Sequence, residues 1–217
     1  MKRLISLTIV MGLCLLPTAA KASVTYSFVN ITNNDVTNAA IGEEQLFVEL
    51  GDPIGNQVTF TFSNIGPEAA SITQAYFDDS GILSFASLDD SLAGVEFSQF
   101  ASPPDLPGGN TVVPPFATTA GLSFGADPPV QPNGVNPGEW LAITFDVNPL
   151  SNLEDEIASG ALRIGIHVQA IGEGGSEAFI LGGPVDTGGT SIPAPGAVVL
   201  ASMGVGFISL LRRHRAF

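Results

Sequence analysis

Twenty-one carboxylates, one arginine and one histidine make up nearly all the ionisable chemistry of residues 22–211. Acid pairs stand at Glu43-Glu44, Asp78-Asp79 and Asp89-Asp90, and Glu154-Asp155-Glu156 forms a short run. Calcium takes about six to eight oxygen ligands, which loops supply through carboxylates and backbone carbonyls. No cofactor is expected, but the Asp78-Asp79-Ser80-Gly81 corner suits that chemistry best, so a structural calcium, if one binds, would take Asp78 and Asp79 as ligands. Neither the EF-hand spacing nor a Gly-rich nonapeptide array accompanies them. Two facing carboxylates could also cleave a glycosidic bond, but nothing in the sequence selects a pair. No catalytic residue is expected.

The remaining chemistry is sparse. Arg163 and His167 lie four apart in an alternating stretch, so they share its polar face, where a solvated strand surface is the expected role. A Gly-x-Ser-x-Gly elbow is absent, and so is any His-rich metal spacing. Trp140 and Tyr76 could stack against a sugar, although an aromatic that opens an alternating strand ordinarily packs in a core. Cys14, the single cysteine, lies in the N-terminal apolar run. A chain that loses that run has no disulfide, zinc thiolate or thiol nucleophile.

These residues need a scaffold, and the pattern describes one. The chain has 217 residues, 45% hydrophobic and 13% charged, with 25 Gly and 16 Pro. That composition suits a folded domain of many short strands and turns. Apolar residues alternate at Val24–Phe28, Val58–Phe62, Leu141–Val147 and Leu162–Val168. Less regular apolar runs cover 45–50, 71–77, 81–88, 94–100 and 177–181, giving about nine strands. Only 151–159 looks helical, with acids near its start. Residues 101–137 hold nine prolines and read as a long excursion over one edge, with a short strand near 120–124. Strands with one apolar face need cover for it. The expected architecture for 23–185 is therefore an all-β ectodomain, a β-sandwich of jelly-roll or immunoglobulin-like form.

Charge is segregated along the chain. Lys2, Arg3 and Lys21 lie in the first 21 residues, and Arg212, Arg213 and Arg215 in the last six. Between Ala22 and Leu211 one cation faces all 21 acids, a formal charge of −20. A surface of that sign repels nucleic acid and anionic lipid and attracts metal cations or basic partners.

Residues 1–22 read as a signal peptide. Lys2 and Arg3 precede an uncharged run from Leu4 to Leu16, Pro17 ends it, and Ala20 and Ala22 occupy the small-residue positions before a cut at Ser23. At the other end, 186–195 form a polar linker ending in Pro193-Ala194-Pro195. An uncharged run follows over 196–211, then the basic 212–217. The run reads as a short transmembrane helix. Its trailing arginines should stay in the cytoplasm and leave the acidic domain outside.

The polar linker, proline pair, short apolar run and terminal arginines over about 191–215 resemble the PEP-CTERM sorting signal, with Ala194 where the motif has Glu. The resemblance implies processing by a membrane peptidase of the exosortase type, in bacteria that build exopolysaccharide and biofilm matrix. Residues 76–79 (YFDD), 133–139 (NGVNPGE) and 162–169 (LRIGIHVQ) are similar to ectodomains that accompany this tail. That likeness implies a β-rich secreted domain and brings no catalytic residue and no ligand. The expected function is a non-enzymatic exported surface or matrix protein, first anchored in the inner membrane by its tail and associated with exopolysaccharide. A carbohydrate-binding module is the alternative, and a secreted hydrolase a third.

Overall fold

The computed structural model of the protein describes residues 23–148 and 153–185. The signal sequence, Pro193, Ala194, Pro195, the apolar run and the terminal arginines lie outside the described residues. Among the described residues no helix is long and apolar enough to cross a membrane.

Ten strands and two helices build the domain: β1 (Val24–Asn30), α1 (Val36–Gln45), β2 (Leu46–Leu50), β3 (Gln57–Asn64), β4 (Ser71–Asp79), β5 (Leu83–Asp89), β6 (Phe97–Gln99), β7 (Ser123–Ala126), β8 (Trp140–Val147), α2 (Leu153–Ser159), β9 (Leu162–Ile171) and β10 (Gly175–Pro184). All pair antiparallel in one sheet of order β5-β8-β3-β2-β1-β10-β9-β4-β7-β6. The all-β expectation holds. The strands with strict alternation, β3 and β8, bury every second residue.

One continuous sheet encloses its own core. Phe77 of β4 packs edge-on against Phe60 and Phe62 of β3 and Phe145 of β8, with ring centroids 5.5, 6.1 and 4.7 Å away. In the sheet β3 and β4 are five strands apart, so the sheet has curled until its halves meet. Phe85 of β5 lies 5.1 Å from Phe124 of β7, which brings the two ends of the sheet close to a nearly closed barrel. Register shifts interrupt four of the pairs, at Tyr26/Phe28, Gly175/Ser176, Ile72/Gln74 and Phe85/Ser87, and such irregularities let a sheet bend.

Two local features depart from the sequence expectation. Residues 36–45 are helical, although only 151–159 was expected to be, so Glu43 and Glu44 stand on α1. The helix carries little apolar periodicity. It is fixed by its N-cap, where the Asp35 carboxylate accepts from the amides of Thr37 (2.8 Å) and Asn38 (3.1 Å). It is fixed again by Gly42, whose missing side chain leaves room for the Phe179 ring.

The Pro-rich segment after β6 is the second departure. It does not run over an edge. It lies on the outer face of β4, β9 and β10, where Ala101, Leu106 and Phe116 pack with Tyr76 and Ala178 in a second small core. Gly165 permits that approach, since a methyl group there would come within 2.6 Å of Leu106. Both faces of β4 are consequently buried over most of its length. The expected short strand appears as β7.

Candidate functional site

Of the residues singled out by type, Tyr76, Asp78, Arg163 and His167 lie on the covered outer face of β4 and β9. β4 and β9 pair Gln74 with His167 and Asp78 with Arg163. Arg163 forms an ion pair with Asp78 and donates to the carbonyls of Pro114 and Pro115, both at 2.7 Å. Its guanidinium lies 5.4 Å from the centre of the Phe116 ring. Asp78 also accepts from the Ala117 amide at 2.9 Å. Arg163 is thus a clamp that holds the covering segment on the sheet.

His167 corrects the expectation of a solvated strand face. It is buried, at 9% exposure. Nδ1 bonds the Gln74 Oε1, and Nε2 lies 3.1 Å from Ser176 Oγ. Gln74 spends its Nε2 donor on the Ser102 carbonyl, so its Oε1 accepts and His167 carries its proton on Nδ1. Nε2 is left to accept from Ser176. Burial holds the imidazole below its ordinary pKa, in the neutral form. Serine, imidazole and amide stand here in the order of a nucleophile, a base and its orienting group. An amide orienter, however, gives no charge stabilisation to an imidazolium, and burial opposes forming one. The arrangement cross-links three strands.

Asp78 and Asp79 do not converge. Asp78 faces Arg163, while the Asp79 carboxylate accepts from the amides of Ile82 (3.2 Å) and Leu83 (3.0 Å) and so shapes the turn into β5. Neighbouring strand residues point to opposite faces, which separates the two carboxylates further. Among the described residues no group of three or more His, Cys, Asp or Glu side chains could hold a metal ion. Tyr76 is no sugar platform: it has no exposed surface, and its hydroxyl donates to the Pro103 carbonyl at 2.9 Å. Burial, and then the charge of Asp105, push its pKa far up. Trp140 opens β8 half-buried.

One carboxylate missed in the sequence is fully buried. Glu177 has no exposed surface. It accepts from Asn30 Nδ2 (3.1 Å), the Thr32 hydroxyl, and the amides of Asn34 (3.2 Å) and Asp35 (2.8 Å). Burial alone would raise its pKa, but these donors together hold it below the usual glutamate range. Glu177 ties β10 to the loop between β1 and α1. Nothing distinguished it in sequence from its exposed neighbour Glu173.

Two clefts are formed by the described residues. One, of about 510 Å³, lies between the start of α1 and the β9–β10 hairpin, lined by Asp35, Asn38, Glu68 and Glu173. Asp35 is occupied there by its cap, with the amides of Asn38 and Thr37 holding its pKa down. The other, of about 160 Å³, lies where the chain leaves β6, between Phe100, Pro104 and Asp105 on one side and Thr118 to Gly121 on the other. Neither takes in Ser176.

Compared with family models, with curated proteins and with solved structures, the chain matches none.

Proposed function

We propose that the protein is a non-enzymatic, exported surface or matrix protein. In this reading a signal peptide is cut before Ser23, and the 196–211 helix holds the acidic domain at the outer face of the inner membrane. An exosortase-type peptidase then releases it to the cell surface or the exopolysaccharide matrix. The curled sheet is read as a sandwich, with β5-β8-β3-β2 layered on β9-β4-β7-β6. The observation that carries the proposal is the segregation of charge: three cations at each end, and one cation against 21 acids between them. Basic residues before an apolar start and after an apolar end both place the middle of the chain outside. Such a charge also disfavours nucleic acid as a partner.

The geometry adds support for a non-catalytic role. The one cation of the middle region clamps a loop, its one histidine is buried and neutral, and Glu177 is spent on a loop anchor. The exposed acids keep such a domain hydrated and soluble.

The test follows a tagged domain in host cells with and without the sorting peptidase. A shortened, released form is expected only with the peptidase. Replacing Arg212, Arg213 and Arg215 with Asn should weaken membrane retention. Replacing Pro193 and Pro195 with Ala should leave insertion intact and slow release, because an extended segment is the shape a peptidase grips. Full-length protein held in the inner membrane equally in both strains refutes the sorting and leaves a plain anchor.

A further inference from the structure

Phe100 is costly twice over. The residue is 72% exposed, and its backbone sits at φ 73°, in the left-handed region that bulky residues avoid. Glycine or asparagine would satisfy that backbone at less cost. The conformation is nonetheless fixed from both sides. The Phe100 amide donates to the Ser123 carbonyl at 2.7 Å, and the next amide, of Ala101, donates to Ser123 Oγ at 3.2 Å. Strain that its surroundings over-determine, at an exposed aromatic, marks a ring that is being presented.

What it is presented beside is equally specific. The 160 Å³ cleft is lined on one side by Phe100 and Asp105. The opposite wall, Thr118 to Gly121, is rigid. The Thr119 amide donates to the Phe77 carbonyl, the Thr119 hydroxyl bonds Asp79, and the Gly121 carbonyl accepts from Gln99 Nε2 at 2.6 Å. Thr118 breaks this pattern. Its Oγ1 is buried and has no hydrogen-bond partner among the described residues. A buried hydroxyl left unpaired is unfavourable, and Thr118 lines the cleft, so a ligand there is the nearest source of a partner.

We propose that this cleft is a binding subsite for one ring of a neutral saccharide. The proposal rests on the matrix reading above and names the site and ligand class within it. A pyranose ring has an apolar C–H face, which suits the exposed Phe100 ring, and a rim of hydroxyls that both donate and accept. Asp105 accepts only, while the Thr118 hydroxyl does both. An ammonium group would satisfy the carboxylate and the aromatic face but offers Thr118 no acceptor. The −20 charge of residues 22–211 disfavours an anionic sugar. The small volume admits a single ring, so affinity for one residue is weak and grows with multivalent display on a polymer.

The experiment uses the full-length chain in a zwitterionic detergent without a sugar headgroup. Saturation-transfer NMR and titration are run with methyl pyranosides of glucose, galactose, mannose and N-acetylglucosamine. Their neutral oligosaccharides, a polyuronate and a lysine-rich peptide complete the panel. At least one neutral sugar should bind through its C–H protons, and the polyuronate should not. Phe100→Gly should weaken that binding roughly tenfold or more, while melting at or above the wild-type temperature. Phe100→Trp should keep it, and Thr118→Val should weaken it severalfold without loss of stability. No binding by any neutral sugar overturns the proposal. So does sugar binding that survives Phe100→Gly, or Phe100-dependent binding of the lysine peptide alone. Release and surface location are followed in the same Phe100→Gly variant. Normal sorting with no sugar binding refutes the subsite and leaves the export reading standing, and failed sorting in the wild type refutes export.

Discussion

Glu177→Gln is the sharpest single perturbation of this fold. The wild-type carboxylate serves four donors, two of them backbone amides that have no other role assigned to them. Glutamine retains one acceptor oxygen and turns an NH₂ group toward the remaining donors. Hydrogen bonds to a charged acceptor contribute about 1.5–3 kcal/mol each, and buried donors left unpaired add a desolvation cost. The retained oxygen still accepts from part of the set, so the total falls near 2–4 kcal/mol. For a domain of this size that lowers the melting temperature by roughly 10 °C. The pH dependence carries an independent signature. The folded pKa lies below the unfolded value of about 4.3. The stabilisation is therefore complete above pH 4.3 and lost as pH falls through the folded pKa. Urea denaturation should show a constant gap between wild type and variant above about pH 5 that narrows below pH 4.3. Hydrogen exchange at Asn34 and Asp35 should accelerate in the variant. Equal stability of the two proteins at pH 7, or a gap unchanged at pH 3, would show that Glu177 does not anchor the loop.

Arg163→Met should destabilise by about 1–3 kcal/mol, since it removes the Asp78 pair, two carbonyl bonds and the contact with Phe116. It should also speed proteolysis within 109–118, and a digestion pattern identical to wild type counts against the clamp. Calcium and a chelator should give the same melting curve for residues 23–185, because the oxygens of Asp78 and Asp79 serve Arg163 and the turn amides. A metal at about 100 times its dissociation constant would add about 2.7 kcal/mol, and a stabilisation of that size would return those carboxylates to metal binding.

Legibility of the fold tracked how local its cause was. Strands β3 and β8 read clearly because one face is core and the other meets water, so the period of two survives in sequence. Strand β9 alternates too, yet its polar face is not wet. The covering segment lies over it, and the residue that permits this, Gly165, gives no periodic signal. Helix α1 was hidden for a related reason. Its stability comes from the Asp35 cap and from Gly42 against Phe179, which is 137 positions away in sequence, and not from an apolar stripe. That ten strands form one curled sheet follows from pairings such as β1 with β10, which join the two ends of the domain.

The candidate chemistry divides the same way. Residue type alone drew notice to Asp78, Asp79, Arg163 and His167, and register then decided what each became. Pairing β4 with β9 sets Asp78 opposite Arg163 and Gln74 opposite His167, so the scarce side chains neutralise or orient one another. Had β9 slipped by one residue, Arg163 and His167 would point into the core, and the fold would not form. Phe100 shows the converse. As one of 14 phenylalanines in a weak apolar run it carries no sequence signal, since core aromatics and presented aromatics are written with the same letter. Its neighbour Phe97 is buried, and three positions along a strand and its exit turn are enough to send Phe100 outward. Only the backbone distinguishes them. A chain that meant simply to leave the sheet after β6 would place glycine at the left-handed position, as it does at Gly81, Gly94 and Gly121. An aromatic kept where glycine is cheapest is a choice about the side chain, and Phe100 lines the cleft.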